Sequence, residues 1–232
     1  MTSIRHDLPL AINIAISVFG IFLVLILAFG TPKIHENLLW RKPLIGLLFS
    51  LVCILGIFAA LSPGQCSQAS HLRKETLDST SHIIRLSSHH PDCGGFSTHV
   101  IHISGRDLCA ACTGLLLGAH IALLGTASYF FGVWPIRDVG LLAVLIGVAG
   151  VVLGFLQLKF RGFIRLTLNT SFVLGAFLIL VGMDELTESI FFDCFLLALI
   201  VFWILTRIQL SQWDHHRICS NCRSPCDWEL KK

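Results

Sequence analysis

The sequence predicts an all-α fold, a polytopic membrane helix bundle of about six transmembrane helices. Three observations carry this. Of 232 residues, 54% are hydrophobic and only 13% are charged, whereas soluble domains carry roughly a quarter charged residues. Mean hydropathy is +0.78. Six apolar runs approach or exceed the length of about 20 residues that a helix needs to cross the hydrocarbon core, at Leu8–Phe29, Leu38–Leu61, Ala110–Phe131, Asp138–Leu158, Leu166–Met183 and Ile190–Gln209.

The first run follows Arg5, as the core of a signal peptide would. It exceeds the usual core of about 7–15 residues, and no Ala-x-Ala cleavage site follows, so it reads as an anchor. With the second run it forms an N-terminal transmembrane hairpin, residues 1–62, turned through Gly30–Asn37 and closed by Pro63-Gly64. Residues 63–108 form a His/Cys loop. Its first part, Gln65–Leu86, carries Arg73, Lys74, Glu75 and Asp78 and reads as a short surface helix or linker. From Ser87 to Leu108 the composition shifts to His89, His90, Pro91, Cys93, Gly94, Gly95, His99 and His102. Gly and Pro break regular structure, so this part reads as an ordered loop on the mouth of the bundle.

Residues 109–210 form a four-helix transmembrane unit with short joints at Gly132–Arg137, Lys159–Arg165 and Asp184–Ser189, which favour antiparallel neighbours. Gly114, Gly118 and Ala122 make one small-residue stripe; Gly150 and Gly154 make a second. Such stripes let helix backbones approach closely in lipid, where apolar burial does not by itself drive association. A Cys-rich tail, 211–232, follows.

Lys and Arg set the orientation. An even number of spans puts both termini on one side. That side holds thirteen of the seventeen basic residues, and the other holds Lys33, Arg41, Lys42 and Arg137. The expectation is a multi-pass protein of the cell (inner) membrane with both termini and the 63–108 loop cytoplasmic. Seven of the nine cysteines then face a reducing compartment, Cys53 and Cys194 lying in spans, so metal binding or thiol chemistry is favoured over disulfides. The net charge of +3 follows from the same bias and makes no case for nucleic acid. The partners expected are the lipid bilayer and a membrane or cytoplasmic protein.

Two Cys-x-x-Cys pairs carry the chemistry. Cys109 and Cys112 open the third run, and Cys219 and Cys222 follow the last. Four spans separate them, so both pairs fall on one side. Thiolates bind zinc tetrahedrally at about 2.3 Å, and two pairs complete an all-cysteine set. His89-His90-Pro-Asp-Cys93 and His215-His216-Arg-Ile-Cys219 share a His-His-x-x-Cys pattern. Cys93, Cys226, His89 and His90 are therefore further candidate ligands. The leading expectation is a cytoplasmic Cys/His site for zinc or another thiophilic metal, with a structural or regulatory role. The alternative is a membrane thiol-disulfide or quinone-linked oxidoreductase. There Asp107 would cap the third helix, and Cys109 in its first turn would be activated by the helix dipole and Arg106, with Cys112 as resolving thiol. A metal transporter or sensor is the third reading.

The segment Ile103-Ser-Gly-Arg-Asp-Leu-Cys109-Ala-Ala-Cys112-Thr-Gly114-Leu-Leu-Leu-Gly118 resembles the signature of an uncharacterised family of small prokaryotic polytopic membrane proteins, a domain of unknown function with a Cys-x-x-Cys-Thr-Gly motif. The resemblance spans Ser87–Gly182. It implies that Gly154, Gln157 and Arg165 match a later Asp-Gly-x-x-Gln segment and an Arg in a Leu-rich helix. Ala111 stands where the family often has Arg, and Leu153 where it has Asp. The family supplies no activity to transfer.

The remaining polar residues carry blander expectations. Asp184, Glu185, Glu188 and Asp193 read as a solvated acidic turn, with a hard-cation site as the alternative. Gln157 and Asn169 read as interhelical hydrogen-bonding groups, and His120 as a packed, hydrogen-bonded histidine. No nucleotide fingerprint or Gly-x-Ser-x-Gly occurs, and no span shows the paired intramembrane charges of a proton-coupled pump.

Overall fold

The computed structural model describes residues 4–30, 33–34, 36, 38–61, 99–103, 106–132 and 139–220. The helices are α1 (Ile4–Gly30), α2 (Arg41–Leu61), α3 (Ala110–Thr126, continued by a π-helical turn Ala127–Phe131), α4 (Gly140–Phe155, continued by a 3₁₀ turn Leu156–Lys159), α5 (Gly162–Thr187) and α6 (Ile190–Ser220). All six are long and apolar enough to cross a membrane. The fold is the all-α polytopic bundle that composition predicts.

Two expected boundaries move. The fifth and sixth spans run on to Thr187 and His215, past the ends expected at Met183 and Gln209. Helix α6 itself reaches Ser220, so the segment expected to be tail is helical for its first ten residues. Polar residues that hydropathy trims off are retained because they are paired inside the bundle. The mouth expected to be a loop holds a short antiparallel hairpin, β1 (Val100–Ile103) and β2 (Arg106–Cys109), in which Val100 faces Cys109 and Ile103 faces Arg106. Gln65–Leu86 and the candidate ligands His89, His90 and Cys93 lie outside the described residues.

Helix α5 is the axis of the bundle, with 56% of its span buried against 22–39% for the others. The small-residue stripes create its closest contacts. A Cβ added at Gly147 would meet the carbonyl oxygen of Gly175 at 2.6 Å, and one at Gly175 would meet that of Gly147 at 2.5 Å. One turn-pair away, Gly182 stands in the same relation to Gly140 at 2.5 Å. On the other flank, Gly114 of α3 packs on the Leu166 carbonyl and Gly118 on Val173 and Thr170. Tight packing is thus what these glycines provide.

Helix α1 is held to α6 by polar contacts. Asn13 donates to Gln209 at 2.6 Å, Ser17 to Thr206 at 3.2 Å, and the Trp203 indole to the Ser17 carbonyl at 3.3 Å. Thr113, Thr126, Thr167, Thr170, Thr187 and Thr206 each return a hydroxyl proton to the carbonyl four residues back. This satisfies the hydroxyls where no water is at hand.

Candidate functional site

At the end of the bundle that carries the hairpin, Cys109 closes β2 and is itself the N-cap of α3, with extended backbone (φ −69°, ψ 115°). Asp107 lies in β2, two residues before the N-cap position. The helix start is therefore shifted by two positions from the cap expected at Asp107, because the strand carries extended conformation up to the cysteine. Cys109 is buried and Cys112 half-buried, one turn further on. The guanidinium of Arg165, from the first turn of α5, lies within electrostatic reach of both thiols.

Arg165 is 2% exposed. Its Nη1 donates to His99 Nε2 at 2.9 Å, and its Nη2 lies 3.6 Å from Asp214 Oδ2. A guanidinium has only donors, so His99 Nε2 is the acceptor and the ring is neutral with its proton on Nδ1. The 3.6 Å approach of the same Nε2 to Asp214 is then no hydrogen bond. The His99 ring also lies 5.8 Å from that of His215. Three elements distant in sequence thus meet here: the lead into the hairpin, the start of α5 and the exit of α6.

A second buried arginine lies on the same side of the core. Arg207 of α6 donates through Nη2 to Gln157 Oε1 at 3.0 Å and stands over the Phe172 ring, 5.8 Å from its centroid. Gln157 is the interhelical hydrogen-bonding group expected. Asn169 is not: its amide donates to the Arg165 carbonyl in its own helix at 2.6 Å, the shortest route to a partner once Gly114 brings α3 against it. His120 is exposed on α3 and bonded through Nδ1 to the Leu116 carbonyl at 2.8 Å, not packed inside.

Of the expected metal ligands, only Cys109 and Cys112 have described side chains. Cys219 lies in the last turn of α6, its side chain outside the described residues, as are Cys222, Cys93, Cys226, His89 and His90. Among the described residues no group of three or more His, Cys, Asp or Glu is placed to hold a metal. Two soft thiols one helical turn apart are half of a tetrahedral set, and their donor chemistry fits zinc.

The opposite end overturns two expectations. The turn joining α5 to α6 is only Glu188 and Ser189, with Glu188 in the left-handed region (φ 48°) and its amide donating to the Asp184 carbonyl at 3.0 Å. So tight a reversal folds Asp184 and Asp193 inward. Both are 0% exposed, not parts of a solvated acidic turn. Each puts one oxygen 2.5 Å from Nη1 of Arg41, the buried first residue of α2. The spans therefore do carry paired buried charges. Tyr129, on the π-helical turn, donates to Asp184 Oδ2 at 2.7 Å. Lys42 lies 3.5 Å from the same oxygen and over the Tyr129 ring, 4.6 Å from its centroid.

Arg41, Tyr129, Arg207 and Asp214 were not singled out by sequence reasoning. A usable signal exists for the charged three: each lies in, or within two turns of, an apolar run, where an ionisable residue usually has a partner and a role.

In comparisons with known proteins, no family model, no curated protein and no solved structure matches this chain.

Proposed function

We propose that the chain is an integral protein of the cell (inner) membrane, with cytoplasmic termini, in which Cys109, Cys112, Cys219 and Cys222 form a thiolate metal site. Zinc is the metal this donor set favours, and the role is structural or regulatory. The observation that carries the reading is the Arg165 contact with both His99 and Asp214. It ties the hairpin that ends in Cys109 to helix α6 five residues before Cys219. At about 1.5 Å per residue, Cys219 follows only about 7–8 Å beyond Asp214 along the helix. Cys93, Cys226, His89 and His90 remain the reserve ligands. The resemblance to the Cys-x-x-Cys-Thr-Gly membrane family fits the same end of the molecule, since Arg165 and Gln157, which it aligns, are among the buried polar residues there. Metal would order the tail, which has few apolar residues of its own.

A thiol oxidoreductase, disulfide- or quinone-linked, is the second reading. It is favoured by the position of Cys109 at a helix N-terminus with a buried guanidinium within reach, the setting in which thiolates are stabilised.

Metal analysis of purified protein, with thiol titration before and after chelation, separates the two. The metal reading expects stoichiometric zinc that protects about four thiols. It also expects Cys109→Ser and Cys222→Ser to expose the chain after Ser220 to protease equally. Metal-free protein with one thiol that alkylates at acid pH, abolished by Cys109→Ser alone, overturns it in favour of the enzyme.

A further inference from the structure

The carboxylate pair at the end opposite the thiols is unused by any of these readings. Asp184 Oδ1 and Asp193 Oδ2 share a single nitrogen of Arg41 at 2.5 Å each, so they lie no more than about 5 Å apart. Like charges at that separation, away from water, resist ionising together.

The groups facing the pair do not balance it equally. From α2, Arg41 serves both carboxyls, while Lys42 reaches only Asp184 and is itself 46% exposed, so its charge is partly screened. From the π-helical turn, the Tyr129 hydroxyl serves only Asp184. From α5, Glu185 adds a further negative charge near Tyr129. Glu36 is engaged by Ser189 and the Ile190 amide, and Glu188 by Lys33. Asp184 therefore receives more donors than Asp193. Asp193 keeps a fully buried Oδ1 that has no hydrogen-bond partner among the described residues. Burying a carboxylate with one oxygen unpartnered costs more in the ionised form than in the neutral acid, because the charge adds to the unmade hydrogen bond.

Access is provided on the same side. An open recess of about 520 Å³ is lined by Arg41, Lys42, Glu36 and Glu188, so the residue that bridges the two carboxyls also borders solvent.

We propose that Asp184 and Asp193 form a proton-binding site, loaded from this recess, in which the two carboxyl groups together hold one proton. The proton comes from water in the recess, and no other bond changes. The ligand is the proton itself. The site sits where α2, α5 and α6 are pinned together, so its occupancy sets the charge that Arg41 must balance at that junction.

Infrared spectroscopy of the lipid-reconstituted chain, carrying carboxyl-labelled aspartate, tests this. A label-shifted, deuterium-sensitive carboxylic-acid band is expected at neutral pH. It should be lost in Asp193→Asn and also in Asp184→Asn, because either variant leaves one carboxylate fully matched by Arg41. It should persist in Asp214→Asn. Absence of the labelled acid band, its survival in Asp193→Asn, or its loss in Asp193→Asn alone overturns the shared proton. Should the asparagine variants fail to fold, Tyr129→Phe supplies the decision. Removing the donor from Asp184 redistributes the proton and shifts the band; an unshifted band overturns the proposal.

Discussion

Arg41 and Arg165 do comparable work at opposite ends of the bundle, and they differ in how visible they are. Arg165 lies in a motif-like segment whose resemblance draws attention to it. Arg41 sits at the start of an apolar run and reads as a flanking charge of the topogenic kind. Its partners are 143 and 152 residues away, a separation no local pattern encodes. The expectation of a solvated acidic turn fails for the same reason: an acid is solvated or buried according to whether a cation reaches it. Arg41→Leu would leave the two buried carboxyl groups without their shared guanidinium. Breaking a buried pair in this way typically costs about 3–5 kcal/mol. Lys33→Ala removes a partner from Glu188 in an ion pair that is 52% exposed on the lysine side, and such pairs contribute about 0–1 kcal/mol. Denaturant titration of both variants in one detergent should show a large loss for the first and almost none for the second.

At the scale of elements, more was legible. Apolar runs long enough to span a bilayer are a one-dimensional signal, so all six helices follow from hydropathy. The glycine stripes also point correctly to close packing, because nothing else lets backbones meet in lipid. The hairpin before Cys109 was missed since two four-residue strands leave almost no periodicity, and Gly94, Gly95 and Gly105 argue for a loop. The helix contacts give a sharp test. In Gly147→Ala the new methyl meets the Gly175 carbonyl oxygen at 2.6 Å, and backbone on both sides must yield. Overpacking of this kind costs about 1–3 kcal/mol. Gly56→Ala on α2 meets nothing within 4 Å and replaces a poor helix former by the best one. Thermal unfolding of the two variants should shift in opposite directions, down for Gly147→Ala and level or up for Gly56→Ala.

The start of α6 offers a second element-scale prediction. Glu36, from the joint between α1 and α2, accepts from the Ser189 hydroxyl at 2.8 Å and the Ile190 amide at 2.9 Å. It thereby caps a helix distant in sequence and places negative charge at the positive end of the dipole. These bonds, the backbone one first, hold its carboxyl below the ordinary Glu value of 4.5. A depressed carboxyl stabilises the fold fully above its unfolded value and loses that contribution as pH falls through the folded one. Protection of the Ile190 amide, taken relative to the intrinsic exchange rate at each pH, should therefore be high at neutral pH and fall as pH drops below about 4.5. Glu36→Gln should exchange faster at neutral pH and show less dependence on acid. Equal pH profiles for the two proteins would remove Glu36 as the cap.

For the whole molecule, six antiparallel crossings fix a relation that the orientation proposal alone does not. The entry of α3, the α4–α5 joint and the exit of α6 belong to one end, because Arg165 touches His99 and Asp214 there. Arg41, Asp184 and Asp193 belong to the other. Sequence counting of Lys and Arg assigns the first end to the cytoplasm, and the relation between ends holds whichever way the bundle is inserted. A membrane-impermeant thiol reagent applied to intact cells should therefore leave Cys112 unmodified in a Cys112-only variant. It should modify a cysteine introduced at Leu39, which is 97% exposed. Opening the cells should expose Cys112, which is half-buried, along with an epitope tag after Lys232. Modification of Cys112 and the tag together from outside would keep the bundle and invert it, and would move the thiols out of the reducing compartment on which the metal reading rests. Modification of Cys112 from one side and recognition of the tag only from the other would break the six-span count itself.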